Sequence, residues 1–255
     1  MQSESKQFDG KVSIVTGAGQ GIGEEYAHAL AREGAAVVVA DLNEENANRV
    51  AADIVADGGR ALGVKVDVSD PESCVAMAEA AVAEFGRIDH LVNNAAIYHG
   101  MEINGLLRID LDYYRKFMDV NMNGAVYATR ACWREMRKNE GAAVVNQTST
   151  AAWMASGFYG VAKAALNSIT INLAAEMASL GIRVNAIAPG PTNTAATQIL
   201  TGGEENFDIL LTDVMIKRPG TPLDMANALV FLLSDKASWI TGQIIAVDGG
   251  QSKRI

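Results

Sequence analysis

The sequence predicts an α/β protein: a doubly wound parallel sheet of about seven strands, with helices on both faces. Short apolar runs such as Ala35 to Ala40, Leu91-Val92, Ala143 to Val145 and Ile244 to Val247 alternate with helical patterns. Strands buried on both faces read as such runs, because neither side of the pleat meets water. The chain is 49% apolar and 20% charged, the composition of a globular protein. A glycine-rich turn joins the first strand to the first helix, the order in which a parallel βαβ unit begins. With 255 residues there is ample core for one domain over residues 1–255, with Met1 to Phe8 disordered ahead of it.

Taken in order, Lys11 to Thr16 reads as the first strand, Gly17 to Gly23 as the loop, and an alanine-rich pattern to Arg32 as the first helix. Gly17 permits a tight turn, Gly21 lets backbone approach a diphosphate, and Gly23 lets the helix pack closely. The spacing is G-x-x-x-G-x-G, with an additional Gly19. Unpaired N–H groups at the helix start suit a dinucleotide in a Rossmann-type site, with Gln20 and Ile22 beside it.

The second strand ends in Asp41, eighteen residues past Gly23, where a carboxylate meets an adenosine ribose. It accepts hydrogen bonds from both hydroxyls and repels a 2′-phosphate. No arginine or lysine stands at Ala18, Gln20, Leu42 or Asn43 to offset that repulsion. The expected cofactor is therefore NAD(H) rather than NADP(H). The other role open to Asp41 is capping the next helix, which Asn43 can do instead.

Ser69-Asp70-Pro71 and Thr221-Pro222-Leu223-Asp224 read as helix starts, and Gly34, Gly58-Gly59, Gly86 and Gly181 as helix stops. Long helical patterns run from Leu111 to Lys138 and from Phe158 to Leu180. On the second of these, Tyr159 and Lys163 stand four apart, one helical turn above each other on one face. At about 4 Å and an effective dielectric near 20, an ammonium favours a phenolate by roughly 4 kcal/mol. The expectation is that Lys163 lowers the Tyr159 phenol into reach of proton transfer near neutral pH. The spacing alone is common in helices; its position behind a dinucleotide loop gives it meaning.

Together these motifs resemble the short-chain dehydrogenase/reductase family, over nearly the whole chain from Gly10 to Gly250. They are Thr16 to Gly23, Asp67-Val68, Asn93-Asn94-Ala95, Asn121, Ser149, Tyr159/Lys163, Pro189-Gly190 and Asp248-Gly249-Gly250. The resemblance implies Tyr159 as general acid–base, Lys163 as its partner and a ligand of the nicotinamide ribose, and Ser149 as the hydroxyl that orients the substrate oxygen. It implies that Asn121 holds a water next to the lysine, completing a proton relay. Asp67 and Val68 would meet adenine, while Asn93, Ala95, Pro189 and Gly190 would line the ribose and nicotinamide. Thr192 and Thr194 would stand near the carboxamide or phosphates.

There are departures from the family pattern. Ser149 and Tyr159 are ten residues apart rather than the more frequent thirteen, and Thr148 and Thr150 are rivals to Ser149. Ala96 replaces a frequent glycine, and Pro191 stiffens the segment before Thr192.

A net charge of −9 and the lack of a basic stripe argue against nucleic-acid binding. No apolar run is long enough to span a membrane and no leader pattern is present, so a cytoplasmic location is expected. Cys74 and Cys132 read as buried free thiols, and no metal site is expected. His28 and His90 read as structural, whereas His99, beyond the fourth strand, is a candidate substrate contact together with Trp153 and Met154.

The segment 194–218 carries Gly202-Gly203 and then Phe207, Ile209, Leu210, Leu211, Val214 and Met215. The resemblance implies a cover over the substrate, and its apolar character suggests an apolar secondary alcohol or ketone. A non-catalytic NAD-binding regulator, or an isomerase or dehydratase using bound NAD, are the alternatives. A homotetramer is implied, with Leu111 to Lys138, Phe158 to Leu180 and Trp239 to Gly250 as contact segments.

Overall fold

The apolar runs become seven strands of one all-parallel sheet: β1 Val12–Thr16, β2 Ala36–Asp41, β3 Arg60–Lys65, β4 His90–Asn93, β5 Ala143–Gln147, β6 Arg183–Pro189 and β7 Ile244–Val247. In this computed structural model, which describes residues 6–102, 104–201 and 210–253, the strand order is β3-β2-β1-β4-β5-β6-β7. The order reverses between β1 and β4. In open α/β sheets ligands bind beyond the strand ends at such a reversal, because the helices on either side diverge there.

The connecting helices are α1 Gly21–Arg32, α2 Glu44–Ala56, α3 Pro71–Phe85, α4 Leu111–Met118, α5 Gly124–Met136, α6 Gly157–Met177, α7 Ala195–Thr201 and α8 Pro222–Leu233. Strand alternation sorts them into layers. Val37, Val39 and Val145 pack under α1, α2 and α8 with Leu30, Ile54 and Leu229. Ile14, Val38 and Val144 pack under α3, α5 and α6 with Met77, Cys132 and Met177. Because both faces are covered, β1, β2, β4 and β5 are buried along their whole apolar length, as their sequences predicted.

Helix ends follow local chemistry. Asn43, Asp70, Asp110 and Thr221 each accept a backbone N–H of the helix they precede, and Thr221 with Asp224 completes a capping box. The predicted start at Pro71 and the stop at Gly86 both hold. Two patterns are refined. Leu111 to Lys138 is not one helix: α4 gives way to a π-helical turn at Asp119–Asn123 before α5 begins. Phe158 to Leu180 ends as α6 at Met177, followed by a short 3-10 turn.

The N-terminal expectation is corrected. Phe8 is 2% exposed, bonds through its N–H to the Glu33 carbonyl, and sets its ring edge-on to His90 at 4.9 Å. An aromatic ring that closes the bottom of the α1 layer is held by apolar burial. Met1 to Ser5 lie outside the described residues. His90 is structural: it contacts Ser13 Oγ at 2.9 Å, and burial pushes it down to about 4. Both cysteines are buried and free, and burial pushes the Cys74 thiol up to about 12. No helix among the described residues is long and apolar enough to cross a membrane.

Candidate active site

The carboxyl ends of the strands open into one cleft of about 1180 Å³. Its floor at β1 is the glycine loop. Gly17 has φ 64, and a Cβ there would stand 2.7 Å from Ala95 Cα, so neither the turn nor the contact admits a side chain. Asn94 fastens the loop, donating Nδ2 to the Thr16 and Gly17 carbonyls at 3.0 and 2.9 Å. Thr16 Oγ1 in turn accepts the N–H groups of Asn94 and Ala95, both at 3.1 Å.

The residues fit a dinucleotide. Helix α1 is preceded by Gln20, which makes no side-chain cap, unlike the residues that precede α2, α3, α4 and α8. Its first N–H groups therefore remain as donors for an anion. Gly21 borders the cleft, and a Cβ on it would meet no protein atom within 4 Å. A side chain would therefore project into the space where a diphosphate approaches. Gln20, Ile22 and Gly23 line the same wall.

Asp41 is not a helix cap; Asn43 takes that role, accepting Asn46 N–H at 3.1 Å. The Asp41 carboxylate is oriented by Gly19 N–H at 2.8 Å and Asn43 N–H at 2.9 Å, one on each oxygen. Each oxygen keeps capacity for a ribose hydroxyl. Leu42, Asp67 and Val68 border this end, and Ala95, Pro189, Gly190, Thr192 and Thr194 continue the lining toward the other. Sequence reasoning missed Arg49, which lies close by in space. It donates to the Gly19 carbonyl at 3.0 Å while pairing with Glu24 at 2.9 Å and Asp53 at 3.2 Å. Two carboxylates occupy its charge.

At the other end, β5 runs on to Ser149, whose Oγ accepts Ala151 N–H at 3.1 Å and caps the 3-10 turn Thr150–Trp153. That turn fills the short interval before α6. The Ser149 hydroxyl stands near enough to the Tyr159 phenol to favour its ionised form, and both side chains border the cleft. The rival hydroxyls are committed elsewhere: Thr148 to the Ile187 carbonyl at 3.2 Å, Thr150 to Gln251 Oε1 at 2.9 Å. Tyr159 is packed between Tyr98, at 5.6 Å between ring centroids, and Phe117, at 6.5 Å.

The electrostatic expectation is corrected here. Lys163 is 2% exposed, and its Nζ lies 5.8 Å from the Tyr159 ring centroid, donating to the Gln147 carbonyl at 2.9 Å. Burial pushes Lys163 down to about 8. Burial also pushes the Tyr159 phenol up, offset only in part by Ser149, while Tyr98 adds to the rise. In this chain alone the phenol is a neutral hydroxyl at physiological pH. Helical spacing placed the two side chains on one face but could not weigh the desolvation of both.

Three predicted residues do not line the cleft. Asn93 turns into the core, where its Nδ2 reaches Asn146 Oδ1 at 2.8 Å and Thr129 Oγ1 at 3.2 Å. Asn146 continues to Thr170 Oγ1 at 2.9 Å, a buried chain that ties β4 and β5 to α6. The ribose and nicotinamide contact expected of Asn93 is not open to a side chain in this position, and it is the neighbouring Asn94 that borders the cleft. Asn121 sits in the π-helical turn with Nδ2 on the Phe117 carbonyl at 3.0 Å. Its Oδ1 and that of Asn93 are buried acceptors without a partner among the described residues, and both residues line an inner cavity of about 10 Å³, the room of one water. Trp153 is also absent from the cleft wall, whereas Met154 and His99 border it.

The predicted cover is described in part. Gly202, Gly203, Phe207 and Ile209 lie outside the described residues; Ile199 and Leu210 line the cleft. The late Asp248-Gly249-Gly250 motif explains itself: the Gly249 carbonyl accepts Met215 and Ile216 N–H at 3.0 and 2.9 Å, fastening the end of this segment.

A family model described as enoyl-(acyl carrier protein) reductase matches residues 17–252. An uncharacterized oxidoreductase of Mycobacterium tuberculosis is 57% identical over 244 residues, 96% of this chain and 98% of that protein. The 7alpha-hydroxysteroid dehydrogenase of Escherichia coli is 36% identical over 255 residues, covering 97% and 96%. The structure of a 7α-hydroxysteroid dehydrogenase complexed with NADH and 7-oxo glycochenodeoxycholic acid superposes with a TM-score of 0.88 at 36% identity, covering 98% and 97%. Fold, site and relatives together define an oxidoreductase. The chain belongs to the short-chain dehydrogenase/reductase family.

Proposed function

We propose that this protein is an NAD(H)-dependent oxidoreductase interconverting an apolar secondary alcohol and its ketone. The observation that carries the reading is the Tyr159 phenol held against Ser149, with Lys163 one turn along, in the cleft that begins at the glycine loop. The relatives that act on hydroxysteroids support a secondary carbinol as the reacting group.

When bound, the nicotinamide carries the hydride and, in its oxidised form, a positive charge. Ser149 orients the substrate oxygen. Tyr159 gives a proton to that oxygen as a ketone is reduced, or takes one as an alcohol is oxidised. A phenol kept neutral by burial is ready as an acid; as a base it must first lose its proton, which Lys163 and the nicotinamide charge favour. Asn121, whose unpartnered Oδ1 borders a cavity the size of one water, can hold a water there as a step in a relay of that proton to solvent. The cleft wall supports an apolar substrate, with Tyr98 packed beside the phenol, Met101 against the same apolar cluster as Tyr159, and Met154 and Ile199 elsewhere in the lining.

The sign of the pH dependence follows. Oxidation should speed up as pH rises, because it needs the phenolate. Reduction should be fastest below about 8 and decline above it, as Lys163 loses its charge. Initial rates in both directions across this range check the assignment; oxidation that falls steadily with pH contradicts it.

Cofactor choice rests on Asp41, whose charge opposes a 2′-phosphate while Arg49 is held by Glu24 and Asp53. NADH should bind at least about tenfold more tightly than NADPH, and Asp41→Ala should erase most of that ratio. Equal or tighter binding of NADPH by the wild type, measured by calorimetric titration, overturns the choice. A panel of secondary alcohols and ketones with both cofactors, followed by nicotinamide absorbance, tests the reaction itself. A homotetramer is part of the reading, supported by apolar surface at Trp239, Phe231 and Ile245, the first 99% exposed.

A further inference from the structure

The last residue of β5 is gripped from both faces of the sheet. From the α6 side, Lys163 Nζ takes the Gln147 carbonyl at 2.9 Å. The neighbouring Asn146 side chain also points to that side, toward Thr170, so strand alternation sends the Gln147 side chain to the other. There Tyr26 of α1 donates its hydroxyl to Gln147 Oε1 at 2.6 Å. Tyr26 is fully buried, and burial pushes its hydroxyl up, so it stays a donor.

That single bond decides what the glutamine can offer. With Oε1 occupied, the remaining group of the amide is Nε2, which carries two protons and accepts nothing. Nε2 has no hydrogen-bond partner among the described residues, and it is not one of their sealed, unpartnered polar atoms. Gln147 is only 8% exposed, and the open space it borders is the main cleft. A glutamine at the end of the apolar run Ala143 to Val145 is thus a fixed donor facing the ligand space.

Position selects the ligand. Gln147 pairs in register with Ile187 of β6, two residues before Pro189, and lies two residues before Ser149. Asp41 is on β2, and β1 and β4 intervene between it and β5. Three strand spacings put these strands roughly 14 Å apart. The adenosine end held by Asp41 is out of reach of the amide.

We infer that Gln147, pinned by Tyr26, is a cofactor-binding residue that donates a hydrogen bond from Nε2 to an oxygen of the nicotinamide–ribose half of the dinucleotide. The inference rests on the cofactor reading above.

The test is calorimetric titration with NADH and, separately, with ADP, which lacks the nicotinamide half. The double variant Tyr26→Phe/Gln147→Leu removes both buried polar partners, so neither is stranded. It should bind NADH about five- to tenfold more weakly and ADP within about twofold of wild type. Gln147→Glu keeps the Tyr26 bond and the shape but replaces the donor with an acceptor, and should weaken NADH at least as much. NADH affinity unchanged in both variants overturns the inference. So does equal weakening of NADH and ADP, which marks a structural role. Wild-type protein that binds ADP but not NADH removes the cofactor reading and this inference with it.

Discussion

Tyr159→Phe is expected to lower turnover in both directions by about 100- to 10,000-fold, the usual effect of removing an acid–base group, with NADH affinity unchanged within about twofold. Phenylalanine keeps the ring between Tyr98 and Phe117 and loses only the hydroxyl that meets Ser149. The fold and the glycine loop are untouched, so steady-state rates and cofactor titration on one preparation separate chemistry from binding. A variant that keeps more than about a tenth of the wild-type rate means that another group moves the proton. Ser149→Ala should cost less, because it removes orientation of the oxygen and leaves the proton donor in place.

Gly23→Ala has the second largest expected effect, and it acts on the fold as well as the cofactor. A Cβ on Gly23 collides with the Gly17 carbonyl and stands 2.5 Å from Asn94 Nδ2, the amide that fastens the loop. Neither backbone nor a doubly bonded amide can step aside cheaply. The cost is about 3 kcal/mol, at the upper end for an overpacked site, which for a chain of this length lowers Tm by roughly 6 to 12 °C. NADH binding should weaken by more than tenfold, since the loop and the first N–H groups of α1 shift together. A variant with wild-type Tm and unchanged NADH affinity would show that this contact is looser than described. Gly21→Ala is the contrast: its Cβ points into the cleft and meets no protein atom, so apart from the backbone strain of a φ of 62 it should impair binding more than packing.

The elements most legible in the sequence were those whose cause is local. Asp70 before Pro71 and Thr221 before Asp224 cap their helices through bonds within a few residues, so the sequence alone located both starts. The glycine loop was legible for the same reason, and so was the spacing that puts Tyr159 and Lys163 on one helix face. Phe8 was misjudged because nothing near it in sequence explains its order; its partners are Glu33 and His90. Asn93 was placed at the cofactor although Asn94 borders the cleft, because adjacent strand residues point to opposite faces, and which of them meets the loop depends on how β4 lies beside β1. The break at Asp119–Asn123 left no mark that helical periodicity can register.

From its sequence alone, this protein's parallel α/β architecture, its glycine loop and the candidate serine, tyrosine and lysine that share one cleft could be read, because hydrophobic period, turn chemistry and helical spacing act over a few residues. The sign of the charge effects was decided only in three dimensions. Whether Lys163 lowers the phenol depends on what surrounds both groups, and the surroundings come from β5, α4 and the 3-10 turn, brought together by long-range packing. The same is true of Gln147, whose partners Tyr26 and Lys163 approach from opposite sides of the sheet. Desolvation and hydrogen-bond competition are properties of a folded neighbourhood, and no window of sequence contains one.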